Sequence, residues 1–565
     1  MWSAELPPFL LFYLGAFLVL FLRGWLRALV MLAIPVLGGL HLWFDVAPGI
    51  VHSVGLLEFD LVVMRTDRLS LLFGYLFHIA ALLAIVFSLH VRDTTQHVAG
   101  LVYAGSALGA VFAGDLLTLF LFWELLAVSS VFLVWARQTP QSFRAGLRYL
   151  VIQVLSGVLL LAGAMAYYWQ NDTLAFNHIG LEGVAGWLIF LAFGIKCAFP
   201  LLHNWLTDAY PEATPTGTVF LSAFTTKVAV YALARGFAGT EILIYIGAAM
   251  TCFPIFYAVI ENDLRRVLAY SMINQIGFMV CGIGIGTALA LNGAVAHAFN
   301  DVIFKGLLFM SMGSVLYMTG RMNGSDLGGL YKTMPKTATL CIIGAASISA
   351  FPLFSGFVSK SMVMSALLKG EHHIVWLMLL FASAGVFHHA GIKIPYFAFF
   401  AHDSGIRASE PPRNMLLAMS VAAVLCVFIG SYPLWLYSLL PWDVDYMPYD
   451  TTHVLAQLQL LFFSALAFVW LNLRGLYPPE LRSTNLDAEW FYRRLFPAFY
   501  GRLLQGLSFI GMTSGGFVRD RLQTLLAGLT RSHGPEGTLA RTWPTGSMVL
   551  WVAVLLGVYL ILYYL

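Results

Sequence analysis

GIKCAFPLLHNWLTDAYPEATPTGTVFLSAFTTKVAVYAL, residues 194–233, decides how this chain reads. It is apolar enough for a bilayer, yet it holds Lys196 and Lys227 and is interrupted by prolines. Proline removes a backbone donor and breaks a helix. Broken backbone at membrane depth is tolerated only against protein or a wet cavity. Outward from this stretch the same anomaly recurs: Lys305 in AVAHAFNDVIFKGLL, Lys360 in SISAFPLFSGFVSKSMV, and the carboxylate Glu124 in FLFWELLAV. A charge at the bilayer centre costs about 2.5–3.5 kcal/mol on insertion scales, so five such groups cost roughly 15 kcal/mol together. A chain that keeps them uses them. The simplest use is movement of protons or ions along a buried polar line.

The class follows from composition. The 565 residues are 60% hydrophobic and only 10% charged, with mean hydropathy +0.81. Soluble domains carry roughly 25% charged residues. The apolar runs are long and continuous, not alternating, which excludes a β-barrel. The expected fold is an all-α polytopic membrane protein with about sixteen apolar segments of spanning length. The net charge of +3 gives no reason to expect nucleic acid as a partner. The five cysteines stand singly in apolar segments, which argues against metal clusters and a disulfide framework. Neither a haem-ligand pattern nor a phosphate loop is present, so no cofactor, metal or nucleotide is expected. The first segment reads as a spanning helix, since no basic leader or small-residue cleavage pattern precedes it.

Loop charges give an orientation. Alternate loops carry the basic residues, among them Arg23, Arg92, Arg144, Arg265, Lys332 and Arg407. The loops between them are mostly acidic: Glu58, Asp60 and Asp67; Asp172 and Glu182; Asp443, Asp445 and Asp450. The positive-inside rule makes the basic set cytoplasmic and the N-terminus external. In the more polar stretch 476–545, Phe491, Leu495, Phe499, Leu503, Leu507 and Ile510 recur at helical spacing, with Arg482, Arg493, Arg494, Arg502, Arg519, Arg521 and Arg531 in the same region. It reads as an amphipathic surface helix, kinked at Pro497, touching lipid or the protein's flank. A last spanning helix covers 546–565.

Each buried group has a bland reading. Glu124 could be a helix-end carboxylate, but Asp115 already fills that place. Lys196, Lys227 and Lys360 could snorkel to the interface, yet apolar residues extend well to both sides of Lys227. His297, Asp301 and Lys305 follow one another at i, i+4 and i+8, so successive members are neighbours on one helix. A lone buried histidine is usually a packing residue; three titratable groups at this spacing suggest a relay. Lys393 and the His388–His389 pair fit a pathway end or a helix end equally. Lys196 to Lys227 and Lys360 to Lys393 are separated by similar distances (227 − 196 = 31; 393 − 360 = 33), which suggests a duplicated unit with a broken helix in each copy.

These stretches resemble the antiporter-like subunits of respiratory complex I and of Mrp-type multisubunit cation/proton antiporters, nearest the Mrp D-type subunit. The resemblance rests on residues 194–233, then on DLRRVLAYSMINQIGFM, HAFNDVIFKGLLF and FPLFSGFVSKSMV in order, and spans most of 60–440. It implies about 14 core helices with two inverted five-helix repeats. It divides the chain into N-terminal helices (1–96), a first repeat (97–236), a second repeat (237–402), C-terminal core helices (403–475), an amphipathic segment (476–545) and the last helix (546–565). It implies a pathway in which Glu124 pairs with Lys196, Lys227 connects, His297 and Lys305 relay, and Lys360 ends the line. Asp301 departs from the pattern, since many relatives carry a second histidine there. The tail beyond 475 is longer than a plain D-type subunit has.

The function so implied is proton translocation within a multisubunit Na⁺ or K⁺/proton antiporter of the bacterial inner membrane, without catalytic chemistry of its own. Its partners would be other membrane subunits, lipid, protons and the exchanged cation. The alternatives are the proton-conducting subunit of an inorganic-carbon uptake complex, a subunit of a redox-driven pump, and a membrane scaffold without transport.

Overall fold

The computed structural model describes residues 6–56, 59–443, 445–481, 485–511, 522–529 and 545–564. They form two compact units, Met1–Asn485 and Leu486–Leu565. Among the described residues 12 helices are long and apolar enough to cross a membrane, and three shorter apolar helices join them. Glu58, read above as part of an acidic loop, lies outside the described residues, as do Arg482, Arg519, Arg521 and Arg531.

The first unit opens with α1 (Pro8–Phe21) and α2 (Gly24–Phe44). A β-hairpin follows, β1 (Val51–Leu56) against β2 (Phe59–Arg65), where the sequence reading had only a loop. Residues 114 and 115 hold the hairpin in place: Val62 N–H donates to Asp115 Oδ2 at 2.7 Å and Gly114 N–H donates to the Val62 carbonyl at 2.9 Å. Next comes α3 (Arg68–Ser88), capped by Asp67, whose carboxylate accepts from Ser70 N–H.

Two five-segment copies make up the centre. The first is α4 (Thr94–Phe112), α5 (Leu116–Trp135), α6 (Pro140–Asn171), the broken pair α7 (Gly183–Lys196) and α8 (Asn204–Ala209), and the pair α9 (Gly217–Ala223) and α10 (Thr225–Gly236). The second is α11 (Ile242–Ile260), α12 (Leu264–Ile285), α13 (Ala288–Thr319), the broken pair α14 (Pro335–Ile348) and α15 (Ser355–Lys369), and α16 (His373–Val386) continued by π-helical turns at Phe387–Lys393 and Tyr396–Phe400. The copies agree in detail. Asp115 and Asp263 cap α5 and α12 (263 − 115 = 148), and each makes an isolated bridge, to Ala175 and Asn323 (323 − 175 = 148). Both α6 and α13 run 32 residues.

The helix breaks are also twins. Ala198-Phe-Pro-Leu201 and Ala350-Phe-Pro-Leu353 carry the same four residues (350 − 198 = 152). In each, the alanine and the leucine adopt left-handed backbone, with φ of 61° and 70° in the first and 57° and 74° in the second. Phe199 N–H reaches back to the Gly194 carbonyl, and Phe351 N–H to that of Ala346, both at 3.0 Å. This is a Schellman-type helix end, with alanine where glycine usually sits. Such backbone costs roughly 1–2 kcal/mol per residue without glycine. In this register Lys196 ends the helix before the first break, whereas Lys360 sits in the helix after the second. The lysine spacing is therefore not the register of the duplication.

Helix α13 has apolar residues all round its circumference, with His297, Asp301 and Lys305 set among them, and is buried from Leu289 to Val315. After the second copy come α17 (Arg413–Ser431), α18 (Pro433–Tyr437) and α19 (Thr451–Leu473). Leu461 and Phe468 are the buried residues of α19; most of its other side chains remain exposed for lipid. The first compact unit runs on to Asn485.

The second unit, taken by itself, contains a π-helical turn (Phe491–Leu495), α20 (Phe496–Gly511), a helix over 522–529 and a final apolar helix (Thr545–Tyr564). Phe491, Leu495, Phe499 and Leu503 are exposed, consistent with an apolar face offered to lipid. The side chains of Leu507 and Ile510 lie outside the described residues. Pro497 is the second residue of α20, just after the π-helical turn.

Candidate functional site

The polar line begins in the first copy. Glu124 sits mid-way along α5, and Lys196 is the last residue of α7. Lys196 is fully buried. Its ammonium donates to the Trp123 carbonyl at 2.5 Å and lies 4.5 Å from the centre of the Trp123 ring. The indole is fixed in turn, since Trp123 Nε1–H donates to Ser156 Oγ at 2.9 Å and Ser156 Oγ–H donates to the Ala192 carbonyl. Glu124, the next residue, is within electrostatic reach of Lys196. Its Oε1 has no hydrogen-bond partner among the described residues. The carboxylate lies against Gly157 on α6, where any Cβ would overlap it.

The two copies meet at an ion pair. Lys227 Nζ on α10 stands 2.6 Å from Asp301 Oδ2 on α13, and both side chains are fully buried. Lys227 also donates to the Ser222 carbonyl at 3.3 Å. Cys197, beside Lys196, is within electrostatic reach of Lys227. The three groups spaced along α13 do not bond to one another; each turns to another helix. His297 bridges Ser359 Oγ on α15 (3.0 Å from Nδ1) and Gln275 Oε1 on α12 (3.1 Å from Nε2). Lys305 donates to Ser271 Oγ on α12 at 2.8 Å. Lys227, Lys305 and Lys360 all act electrostatically on His297. Lys360 donates to the Ile348 carbonyl at 2.9 Å, one of the carbonyls freed by the second helix break, and lies 5.0 Å from the centre of the Phe278 ring. A helix break thus supplies the acceptor that a buried ammonium needs.

A branch leads through the π-helical turn. His389 is fully buried with neither ring nitrogen hydrogen-bonded among the described residues, and it feels Lys305. His388, only partly buried, rests on Phe468 and Tyr477. Lys393 is fully buried and donates to the carbonyls of Val259 and Glu261, both at 2.6 Å, at the end of α11. It pairs with Glu480 Oε1 at 3.0 Å. Sequence reasoning missed Glu480 because it lies in YPPE, which looks like the start of a polar tail. No periodicity marks it, and only the fold brings it to Lys393. Among the described residues, no three His, Cys, Asp or Glu side chains are grouped to hold a metal ion.

Residues 113–388 match the family described as NADH:quinone oxidoreductase/Mrp antiporter, TM. The D-type subunit of the Na(+)/H(+) antiporter of Alkalihalophilus pseudofirmus is 30% identical over 355 residues, 59% of this chain and 72% of that protein. The chain belongs to the NADH:quinone oxidoreductase/Mrp antiporter family. The A-type subunit of the same organism's antiporter is 28% identical over 492 residues, 76% of this chain. The chain spans only 61% of that relative's length. Among solved structures, one of the Mrp complex from Dietzia sp. superposes with a TM-score of 0.76 at 23% identity, covering 93% of this chain and 62% of that one. One of the membrane-bound sulfane sulfur reductase, an archaeal respiratory membrane complex, superposes with a TM-score of 0.72 at 23% identity, covering 97% and 100%. At that identity both establish the fold alone. The family match takes in Glu124, Lys196, Lys227, His297, Asp301, Lys305 and Lys360, and ends before Lys393 and Glu480.

Proposed function

We propose that this chain is the proton-translocating subunit of a multisubunit complex that exchanges protons for Na⁺ or K⁺. The observation that carries the reading is the fully buried Lys227–Asp301 pair joining the two copies. Asp301 also lies within electrostatic reach of Lys305 and Lys360. One carboxylate shared by three cations is a switch. A proton that charges Lys305 competes with Lys227 for Asp301, and freeing Lys227 changes its hold on a proton in turn. Charge then steps along the membrane midplane through water between side chains, from Glu124 and Lys196 past Lys227, Asp301, His297 and Lys305 to Lys360, with Lys393 on a branch. The exchanged cation would be handled with partner subunits. The acidic loops and the N-terminus face outward in this reading, and the protein sits in the bacterial cell membrane.

A second reading is a subunit of a redox-driven pump. The hydrogenase-4 component B of Escherichia coli, 28% identical over 433 residues or 67% of this chain, favours it. Purification with native partners separates the two, because a redox assembly carries iron–sulfur subunits and an antiporter carries small membrane subunits. The test of the main reading is proton flux in proteoliposomes holding the assembled complex under imposed Na⁺ or K⁺ gradients. Lys360→Ala is expected to lower flux strongly. Wild-type flux in that variant removes Lys360 from the pathway, and a wild-type complex that moves no protons under any gradient defeats the reading.

A further inference from the structure

Lys360 does not end the polar line. A cavity with about 90 Å³ open to water-sized molecules lies beside it; Lys360, Ser361, Ser365, Ser383, His453 and Gln457 form the polar part of a lining that is otherwise apolar. That is room for several waters with polar partners. Gln457 Nε2–H donates to the Ser349 carbonyl at 3.0 Å, so α19 is tied to the helix break beside the cavity. On the far side, Ser365 Oγ is 3.2 Å from His453 Nε2 and 3.2 Å from the Tyr446 hydroxyl. The other ring nitrogen, His453 Nδ1, is 2.6 Å from Asp450 Oδ2. Asp450 stands at the aqueous edge, about half exposed. The backbone N–H of His453 holds the Asp450 carboxyl below its ordinary range, so it is ionised, holds a proton only briefly and gives it up readily to bulk water. Lys360 and Ser365 are about 7.5 Å apart along the helix axis, and both line the cavity, whose water can connect them.

Resting on the function proposed above, we infer that His453 and Asp450 form the outlet of the proton path, on the side of the acidic loops. Lys360 gives its proton to cavity water. His453 takes a proton at Nε2, through that water or the Ser365 hydroxyl, and releases the proton on Nδ1 to Asp450. Asp450 passes it to bulk solvent, and the imidazole turns over to restore its tautomer. Each group gains and loses one proton, so the relay is unchanged after each passage. The pair also has a purely structural reading, because Asp450 caps α19 by accepting from His453 N–H. Capping alone predicts lost stability with unchanged flux.

The test uses the assembled complex in proteoliposomes. His453→Ala is expected to lower proton flux about tenfold or more, the low end for losing a positioned proton carrier. Imidazole added to the buffer should restore part of it, which a capping role would not allow. His453→Gln keeps a polar side chain and serves if the alanine variant does not fold; it should be equally slow. Wild-type flux in folded His453→Gln overturns the outlet while leaving the proposed function standing. A wild-type complex without flux overturns both.

Discussion

Replacing Lys227 by methionine isolates the ion pair on which the transport reading depends. The side chain loses its charge and one atom of length. At 2.6 Å, two unit charges in an effective dielectric near 20 attract by on the order of 6 kcal/mol before desolvation is counted. Most of that attraction offsets the removal of both ions from water. Breaking such a pair by removing one member leaves a buried charge unmatched and costs about 3–5 kcal/mol. Removing both members with apolar residues of similar size is often neutral. Lys227→Met is therefore expected to unfold at a markedly lower temperature in detergent. Lys227→Met with Asp301→Leu should recover most of that loss. Proton flux separates stability from function, since both variants should carry little. The reasoning is refuted if Lys227→Met is as stable as wild type, or if the double variant transports normally. In the first case the pair is not an ion pair in the membrane; in the second it is a packing device.

Gly157→Ala places a methyl group on the Glu124 carboxylate; overpacking of this kind costs about 1–3 kcal/mol, and flux should fall as the carboxylate is displaced. Gly306→Ala, where a methyl group meets open space, is the control and should leave both stability and flux near wild type. At the membrane surface, Asp67 accepts from Arg235 Nη2 at 2.6 Å. Burial pushes its carboxyl up, but Arg235 and the Ser70 N–H outweigh that and hold it below the ordinary value of 3.8. A depressed carboxyl contributes stability above its unfolded value and loses it as pH falls through the folded one. The melting temperature of the wild type should therefore fall more steeply below about pH 4 than that of Asp67→Asn; equal slopes would show that Asp67 adds nothing.

The chain's own order of residues determined the class, the spanning segments and the anomalous charges. Hydrophobic length is a one-dimensional property, and a lysine such as Lys227 is conspicuous because nothing near it in sequence is charged. The helix breaks were legible as well, since proline acts on its own backbone. What the charges touch was decided by the tertiary structure. His297, Asp301 and Lys305 share a helix face, yet Asp301 meets Lys227 on another helix, because a fully buried helix presents side chains to neighbours on every side. Glu480 lies 87 residues beyond Lys393 (480 − 393 = 87) in a polar stretch, and only chain return brings the two together. The repeated Ala-Phe-Pro-Leu was visible in the letters, but its left-handed backbone was not. Partner choice for a buried charge is a three-dimensional matter: it is set by which groups share a place that water has left, and sequence spacing measures that only within one helix.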